Sequence, residues 1–381
     1  MPALCSYLFT IALSQNEAAI RSYDALLFQF DGAHDADLLP LVAWAFVNKG
    51  QALGETGQYR AAISTLDAML DRFGTIADAS LRFAVAQALY NKGKSHELAG
   101  QGALAIDAYD AMIRRFSDAP EAEIRDLIGR SLINRGGMYV ESDQSESAIA
   151  SFAEVVLRFG NAPEIQLRKS VALALLNQGQ VQARQGQKAS AIATYGQLIR
   201  RFADAPEPEL QVRVAKALFN KGVAEYEIVG FSQATMQSLD ELIHRFGSAP
   251  EMALRQQVAK AWDIKGFFAL IEAKFLWQEQ QDQALHQLQL ALDVLDKAVA
   301  LDPESSGIPL GHRASVRFLL GDTEGAEADL ALGLRATTEG GMVLYTTMLQ
   351  SLETPPIAED ARLRDLVERM WQAYLQSQPA H

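Results

Sequence analysis

The sequence of 381 residues lacks most of the side-chain chemistry on which enzymes and metalloproteins depend. It holds a single cysteine, Cys5, which excludes an internal disulfide framework and a cysteine-based zinc site. None of its six histidines pairs with another at the spacing of metal ligands. It has no glycine-rich phosphate loop, no His-Glu-x-x-His and no nucleophile elbow. We therefore expect no enzymatic activity, no cofactor and no bound metal.

The sequence also lacks an excess of positive charge and a long apolar run. Asp and Glu number 47 against 34 Lys and Arg, which gives a formal net charge of −13. A nucleic-acid-binding face needs basic residues to replace phosphate counterions, so we expect no nucleic-acid partner. No apolar run approaches the roughly 20 residues that cross a bilayer, and the apolar start of the chain lacks the basic region of a signal peptide. These features predict a cytoplasmic protein with no membrane association.

What the sequence does contain is an internal repeat of 43 residues. The pattern Asn-x-Gly recurs five times in steps of 43, beginning at Asn48, Asn91, Asn134, Asn177 and Asn220. An Arg-Phe pair follows each copy in the same phase, ending at Phe73, Phe116, Phe159, Phe202 and Phe246. The last step of this second series is 44, which places one inserted residue between Val223 and Ser232. Markers that keep one phase over five copies indicate duplicated structural units.

Each unit is typical of two helices. Residues 81–98 carry apolar side chains at helical spacing, a Gly-Gln-Gly sequence follows, and residues 103–116 resume the helical pattern. The segment Asp118-Ala-Pro-Glu121 is a helix-start signal, since Asp can cap the helix and Pro is tolerated in its first turn. No segment alternates as a strand does. The sequence predicts an all-α fold, with first helices near 20 residues and second helices near 13.

These units resemble the tetratricopeptide repeat. That family has a small residue at position 8 of the first helix, Ala at position 20 and an aromatic residue at position 24; here Gly93, Ala105 and Tyr109 match. The units exceed the 34-residue norm by about nine residues, so the chain is similar to a long-repeat branch of the family. The resemblance implies a right-handed superhelical solenoid of helix-turn-helix repeats, in which the small residues let paired helices approach closely.

The markers divide the chain into four predicted parts. Residues 1–35 form a truncated N-terminal repeat, which is either a cap or the continuation of a longer protein. Residues 36–250 form five repeats of 43 or 44 residues, residues 251–340 form two divergent repeats, and residues 341–381 form capping helices around Trp371. We further expect a long helix between about Met252 and Gln281, and an altered turn near Gly230 that absorbs the inserted residue.

The resemblance also implies a binding surface, because first helices of this family line a concave groove. The recurring asparagine is at position 6, and its amide can bind both the N–H and the C=O of an extended peptide. The predicted partner-binding residues form an asparagine ladder of Asn48, Asn91, Asn134, Asn177 and Asn220. The ladder stops at Cys5 on one side and at Ile264 on the other. The alternative is that duplication copied an idle asparagine, or that it binds a neighbouring helix.

A series of arginines recurs at the start of the long helices. Its members are Arg82, Arg125, Arg168 and Arg255, with Gln211 interrupting the series. They either form a basic row at one edge of the groove or pair with the glutamates of the Ala-Pro-Glu segments. The phenylalanines of the Arg-Phe pairs are predicted core residues.

The predicted function is that of a non-catalytic scaffold for a protein or an extended peptide. It would hold a segment of its partner in the groove through the asparagine ladder. One alternative is a regulatory or sensor module of a larger, bacterial-type signalling protein. Another is self-association through exposed end repeats.

Overall fold

The protein is described here from a computed structural model. The structure describes residues 2–30, 35, 38–76, 78–230, 233–302, 307–336, 341–353 and 355–378, with side chains from Gln15 onward. Within these residues the regular secondary structure is entirely α-helical. The all-α helical repeat fold that the sequence predicts is therefore confirmed.

The helices fall into two compact units, Met1–Gln187 and Lys188–His381. The N-terminal unit holds α1 (Pro2–Gln29), α2 (Leu39–Glu55), α3 (Tyr59–Phe73), α4 (Ala79–Leu98), α5 (Gly102–Arg115), α6 (Ala122–Glu141), α7 (Ser145–Phe159) and α8 (Ile165–Arg184). The C-terminal unit holds α9 (Lys188–Phe202), α10 (Pro208–Val229), α11 (Gln233–Phe246), α12 (Met252–Leu276), α13 (Gln281–Leu301), α14 (Gly307–Leu319), α15 (Thr323–Ala336), α16 (Met342–Ser351) and α17 (Glu359–Ser377).

In the N-terminal unit the helices form two layers. The first helices α2, α4, α6 and α8 contact one another in succession, and the second helices α3, α5 and α7 each pack between two of them. Over the described part of this unit, no two second helices contact each other. The first helices therefore make one continuous surface, which we call the inner face.

Glycines set the distance between the two helices of a unit. A Cβ atom on Gly93 would lie 2.5 Å from Cε1 of Tyr109, and one on Gly136 would lie 2.5 Å from Cε1 of Phe152. The alanines that precede these two aromatic residues, Ala105 and Ala148, have no exposed surface. The predicted combination of small residue, alanine and large side chain is thus the actual contact between the paired helices.

The helix lengths follow the period of the sequence. Helices α4, α6 and α8 each have 20 residues, and second helices α3, α5, α7, α9 and α11 have 14 or 15. Helix α10 has 22 residues, so the insertion after Val223 lengthens this helix. Gly230 after it has a φ of 65°, close to the φ of 72° at Gly100. Its ψ of −143° lies outside the left-handed helical region, so the turn keeps a positive φ at glycine and is altered in conformation, as expected near Gly230; Ser232 lies outside the described residues.

Two expectations near the ends of the repeat block are corrected. Helix α1 continues through Ser14, the counterpart of the turn residue Gly57, so the predicted truncated first helix is not separate from the second. Without glycine at this position, the left-handed turn is not favoured. Helix α13 (Gln281–Leu301) has 21 residues, whereas about 13 are expected of a second helix.

Other expectations for the C-terminal unit hold. The long helix expected after Met252 is α12, with 25 residues. The terminal helix α17 packs Leu363, Leu366, Val367 and Trp371 into a core with α14, α15 and α16. Trp371 stacks on Tyr345 with ring centroids 4.9 Å apart. The division into four parts stays a prediction, and the boundary between the two compact units falls inside the predicted block 36–250. None of the helices in the described ranges has the length and apolarity of a membrane span.

Neighbouring glycines in α6 allow a paired test of the helix contact. Gly136→Ala should destabilise the protein, because its Cβ would overlap the ring of Phe152, and overpacking costs about 1–3 kcal/mol. Gly137→Ala should stabilise it by about 0.5–1 kcal/mol, because nothing lies within 4 Å of that Cβ and Ala favours the helix. Thermal unfolding followed by circular dichroism would measure both. Equal effects of the two changes would contradict the close approach.

The left-handed turn residues provide a second test. Asp143 has a φ of 56°, whereas Gly57, Gly100 and Gly186 occupy the equivalent turns. Asp143→Gly should raise the free energy of unfolding by about 0.5–1 kcal/mol, since the left-handed conformation costs more than the added freedom of the unfolded chain. The reverse change, Gly100→Asp, should lower it. A decrease in the midpoint of denaturant unfolding for Asp143→Gly would refute the assignment.

Candidate partner-binding face

The asparagine ladder lies on first helices. Asn48, Asn91, Asn134 and Asn177 lie on α2, α4, α6 and α8 of the N-terminal unit, and Asn220 lies on α10 of the C-terminal unit. In each repeat the asparagine lies two residues before the glycine. Two residues correspond to about 200° around a helix. Since Gly93 and Gly136 face their second helices, the asparagines of α4 and α6 lie on the opposite side of those helices. That this side belongs to the inner face stays a prediction.

The buried member of the ladder is Asn91, whose side chain is 9% exposed. Its carbonyl oxygen accepts a hydrogen bond of 2.9 Å from Nε2 of Gln87, one turn earlier on α4. Its Nδ2 group is buried and has no hydrogen-bond partner. Such a donor costs about 1–3 kcal/mol when it is left unsatisfied. The Nδ2 group of Asn91 therefore lacks a hydrogen-bond acceptor.

Asn134 differs, because its amide is already used within the protein. Its Nδ2 donates to the hydroxyl of Tyr109 at 3.1 Å and makes a long contact of 3.5 Å with the hydroxyl of Tyr90. The Tyr109 hydroxyl in turn donates to Glu97 at 2.7 Å. Burial, together with the Glu97 carboxylate, raises the pKa of Tyr109, which keeps the hydroxyl protonated. Asn134 thus matches the alternative in which the recurring asparagine binds a neighbouring helix.

The remaining three members, Asn48, Asn177 and Asn220, are half-buried. Their side chains make no hydrogen bond to the part of the chain that the structure describes. The five asparagines therefore share a position in the repeat and differ in their surroundings.

A cavity of about 450 Å³ lies beside Asn91. It is bounded by α2, α4 and α6, and its polar lining includes Gln51, Glu55, Gln87, Asn91, Lys94 and Arg130. The guanidinium of Arg130 lies 4.5 Å from the ring centroid of Tyr90, which fixes one wall. The cavity thus offers both donors and acceptors next to the unsatisfied amide.

Two of the four arginines of the predicted basic row are paired with glutamates. Arg82 Nε donates to Glu121 at 2.8 Å, and Arg125 donates to Glu164. Both guanidiniums also lie over phenylalanines of the repeat, at 5.7 Å for Phe116. The pairing alternative therefore holds for Arg82 and Arg125. Arg168 on α8 also has an interaction partner. Arg255 on α12 makes no ion pair with the described residues, so its place in a basic row stays a prediction.

The recurring phenylalanines are core residues, as predicted. Phe73, Phe116, Phe159, Phe202 and Phe246 are each no more than 7% exposed. At Gln211, which interrupts the arginine series, the side-chain amide donates to the backbone carbonyl of Ala203 at 3.1 Å. Gln211 therefore bonds to the backbone of its own compact unit, whereas Arg82 and Arg125 at the equivalent position form ion pairs.

A repeated ion pair was missed by the sequence reasoning. The residue after the ladder asparagine pairs with an aspartate 25 residues earlier: Lys49 with Asp24 at 2.6 Å, Lys92 with Asp67 at 2.6 Å, and Arg135 with Asp110 at 2.7 Å. Where that residue is Gln178, the position 25 residues earlier is Ala153. The change of both members at Gln178 and Ala153 was the signal in the sequence that could have revealed this contact, although Lys221 has Gly196 at the same spacing and pairs with Glu225.

The described residues contain no group of three or more His, Cys, Asp or Glu side chains that could hold a metal ion.

Comparison with known proteins identifies the repeat. Residues 47–120 match one model of the tetratricopeptide repeat, and residues 173–205 match a second. A search of curated proteins gives no match. Whether the units belong to a long-repeat branch stays a prediction.

Several solved structures are similar to the chain. One is BtubC (BKLC) from P. vanneervenii, with 12% identity, a TM-score of 0.48, and coverage of 63% of this chain and 91% of that chain. Another is a tetratricopeptide repeat protein from Parabacteroides merdae ATCC 43184, with 13% identity, a TM-score of 0.42, and coverage of 86% and 98%. A third is Rap protein complexed with Competence and Sporulation Factor, with 12% identity, a TM-score of 0.37, and coverage of 97% of both chains.

The first matched segment spans units of the 43-residue period whose paired helices meet at Gly50 against Leu66 and at Gly93 against Tyr109. Residues 47–120 and 173–205 of the chain are tetratricopeptide repeats.

Proposed function

We propose that the chain is a non-catalytic scaffold that binds a partner protein along the inner face of its N-terminal unit. The partner contributes an extended segment, and amides of the asparagine ladder bind its backbone. The observation that best supports this proposal is the buried Nδ2 of Asn91, which has no partner and lies beside a polar cavity. A backbone carbonyl of the partner would satisfy this donor.

Access to Asn91 depends on Gln87. The Gln87 side chain is half-buried and lines the same cavity, and among the described residues it donates to the Asn91 carbonyl oxygen. A change of its rotamer opens the amide from the cavity side. The cost of this movement is offset when the incoming carbonyl accepts the hydrogen bond that Asn91 lacks.

The other members of the ladder contribute according to their bonding. Asn48 and Asn177 offer both a donor and an acceptor, which match the C=O and N–H of an extended chain. Asn134 offers its carbonyl oxygen, since its donor is engaged by Tyr109. Adjacent helices pack about 8–10 Å apart, so consecutive members would meet an extended segment about every third residue.

The ladder is tested by removing Asn48 and Asn177, the two asparagines of the N-terminal unit whose side chains make no hydrogen bond to the described residues. The ligand would be a 12-residue peptide selected from a phage-displayed random library against the wild-type chain. The double variant Asn48→Ala/Asn177→Ala should bind it at least about thirtyfold more weakly, because each lost hydrogen bond is worth about 1–1.5 kcal/mol. Fluorescence anisotropy with labelled peptide would give the dissociation constants.

The control is Asn161→Ala, because Asn161 is exposed in the loop before α8 and outside the ladder. It should bind as the wild type does, and circular dichroism should show both variants folded. Unchanged affinity of the double variant would leave the ladder without support.

The charge of the chain gives a separate prediction about the class of partner. With a net charge of −13, the protein should not bind a labelled single-stranded RNA or double-stranded DNA at about 0.15 M salt. Anisotropy at protein concentrations up to about 10 µM, corresponding to weak affinity, is the measurement. Binding that weakens steeply as salt is raised would reveal a nucleic-acid site and contradict a purely protein partner.

A further inference from the structure

The first-helix surface changes its chemistry in the C-terminal unit. Where the asparagine ladder stops, Ile264 occupies the equivalent position on α12. The first helices α10, α12, α14 and α16 contact one another in succession and enclose a cavity of about 880 Å³. Its apolar lining includes Phe219, Tyr226, Ile264, Phe267, Ile271 and Ile308. A cavity of this size and lining is suited to a large apolar group.

One wall of this cavity carries a buried polar pair. Nδ1 of His312 lies 2.8 Å from Oδ1 of Asp263, and the two residues are 5% and 7% exposed. A carboxylate accepts hydrogen bonds and cannot donate them, so Nδ1 carries the hydrogen. The ring of His312 is also held against Phe267, with centroids 4.7 Å apart. Asp263 and Phe267 thus fix both the tautomer and the orientation of the imidazole.

The second ring nitrogen of His312 has no partner among the described residues. In the neutral ring, Nε2 is a hydrogen-bond acceptor, and His312 lines the cavity. An occupant that uses both the apolar walls and this acceptor therefore combines a large apolar surface with an N–H donor. An aliphatic chain or a phenyl ring would fill the walls and leave this acceptor unused.

We propose that this cavity binds the indole ring of a tryptophan side chain from a partner protein. The ring system packs between the apolar walls, and its N–H donates to Nε2 of His312. The binding of a partner protein is the only element shared with the proposed function, because no member of the asparagine ladder takes part. The cavity would give the protein a preference for sequence, which contacts to a peptide backbone cannot supply.

The test uses N-acetyltryptophanamide as the ligand and the full chain with ¹³C-labelled isoleucine δ1-methyl groups. We expect saturable shifts of the Ile264 and Ile271 methyl signals, because an adjacent indole ring changes their magnetic environment. N-acetyl-1-naphthylalaninamide has a similar two-ring surface without the N–H, and it should bind about threefold or more weakly, the effect of one hydrogen bond. N-acetylleucinamide should bind more weakly again.

Two variants distinguish binding in the cavity from non-specific binding elsewhere on the protein. Ile264→Trp fills the cavity and should weaken binding of N-acetyltryptophanamide about tenfold or more. Ile228→Trp places the same side chain at an exposed position of α10 outside the cavity, where it should have no effect. The Asn48→Ala/Asn177→Ala variant should bind the small ligand as the wild type does, so a failure of the ladder would not count against the cavity.

Three results would overturn the proposal. The first is the absence of shifts at Ile264 and Ile271 up to about 20 mM ligand, above the millimolar range of weak sites. The second is equal or tighter binding of the naphthyl compound, which would show an apolar cavity without use of His312. The third is tighter binding of decanoate, which would indicate a site for fatty acids.

Discussion

The close contact between a glycine of a first helix and a large side chain of the second helix is the constraint on which the repeats depend. Gly93 against Tyr109 and Gly136 against Phe152 leave no room for a Cβ, and Gly266 meets Leu295 in the same way in the C-terminal unit. This contact determines which side of the first helix faces its second helix. It therefore also determines which side faces away from that second helix. The asparagine ladder lies two residues away, on that opposite side.

Ion pairs then connect one repeat to the next. Lys49, Lys92 and Arg135 each reach an aspartate on the preceding second helix, and Lys265 reaches Asp240 in the C-terminal unit. Each pair is partly exposed and contributes little stability by itself. Their common spacing gives α2, α4, α6 and α12 the same register relative to the helix before each. The inner face thus depends on the glycine contact within a repeat and on the ion pair between consecutive repeats.

Much of the fold could be predicted from the sequence, because the period, the glycines and the buried phenylalanines are local features with one physical meaning. The location of the ladder asparagines on first helices could be predicted, but their hydrogen bonding could not. Asn134 meets the hydroxyl of Tyr109. The counterpart of that tyrosine for Asn177 is Phe152, which has no hydroxyl group. The pair of His312 and Asp263 could not be predicted, because it joins residues 49 apart that belong to no repeated marker. The continuity of helix α1 was not predicted. Its apolar residues follow the pattern of the repeat even though the glycine of the turn is absent.

The central claim is that a partner segment lies along the inner face and satisfies ladder amides. Side-chain amide spectra of the ¹⁵N-asparagine-labelled protein test it most directly, since the sequence has only Asn16 and Asn161 besides the five ladder members. On addition of the selected peptide, the amide signals of Asn48, Asn91 and Asn177 should shift together, while those of Asn16 and Asn161 stay in place. Saturated peptide binding with no change at these three amides would contradict the account.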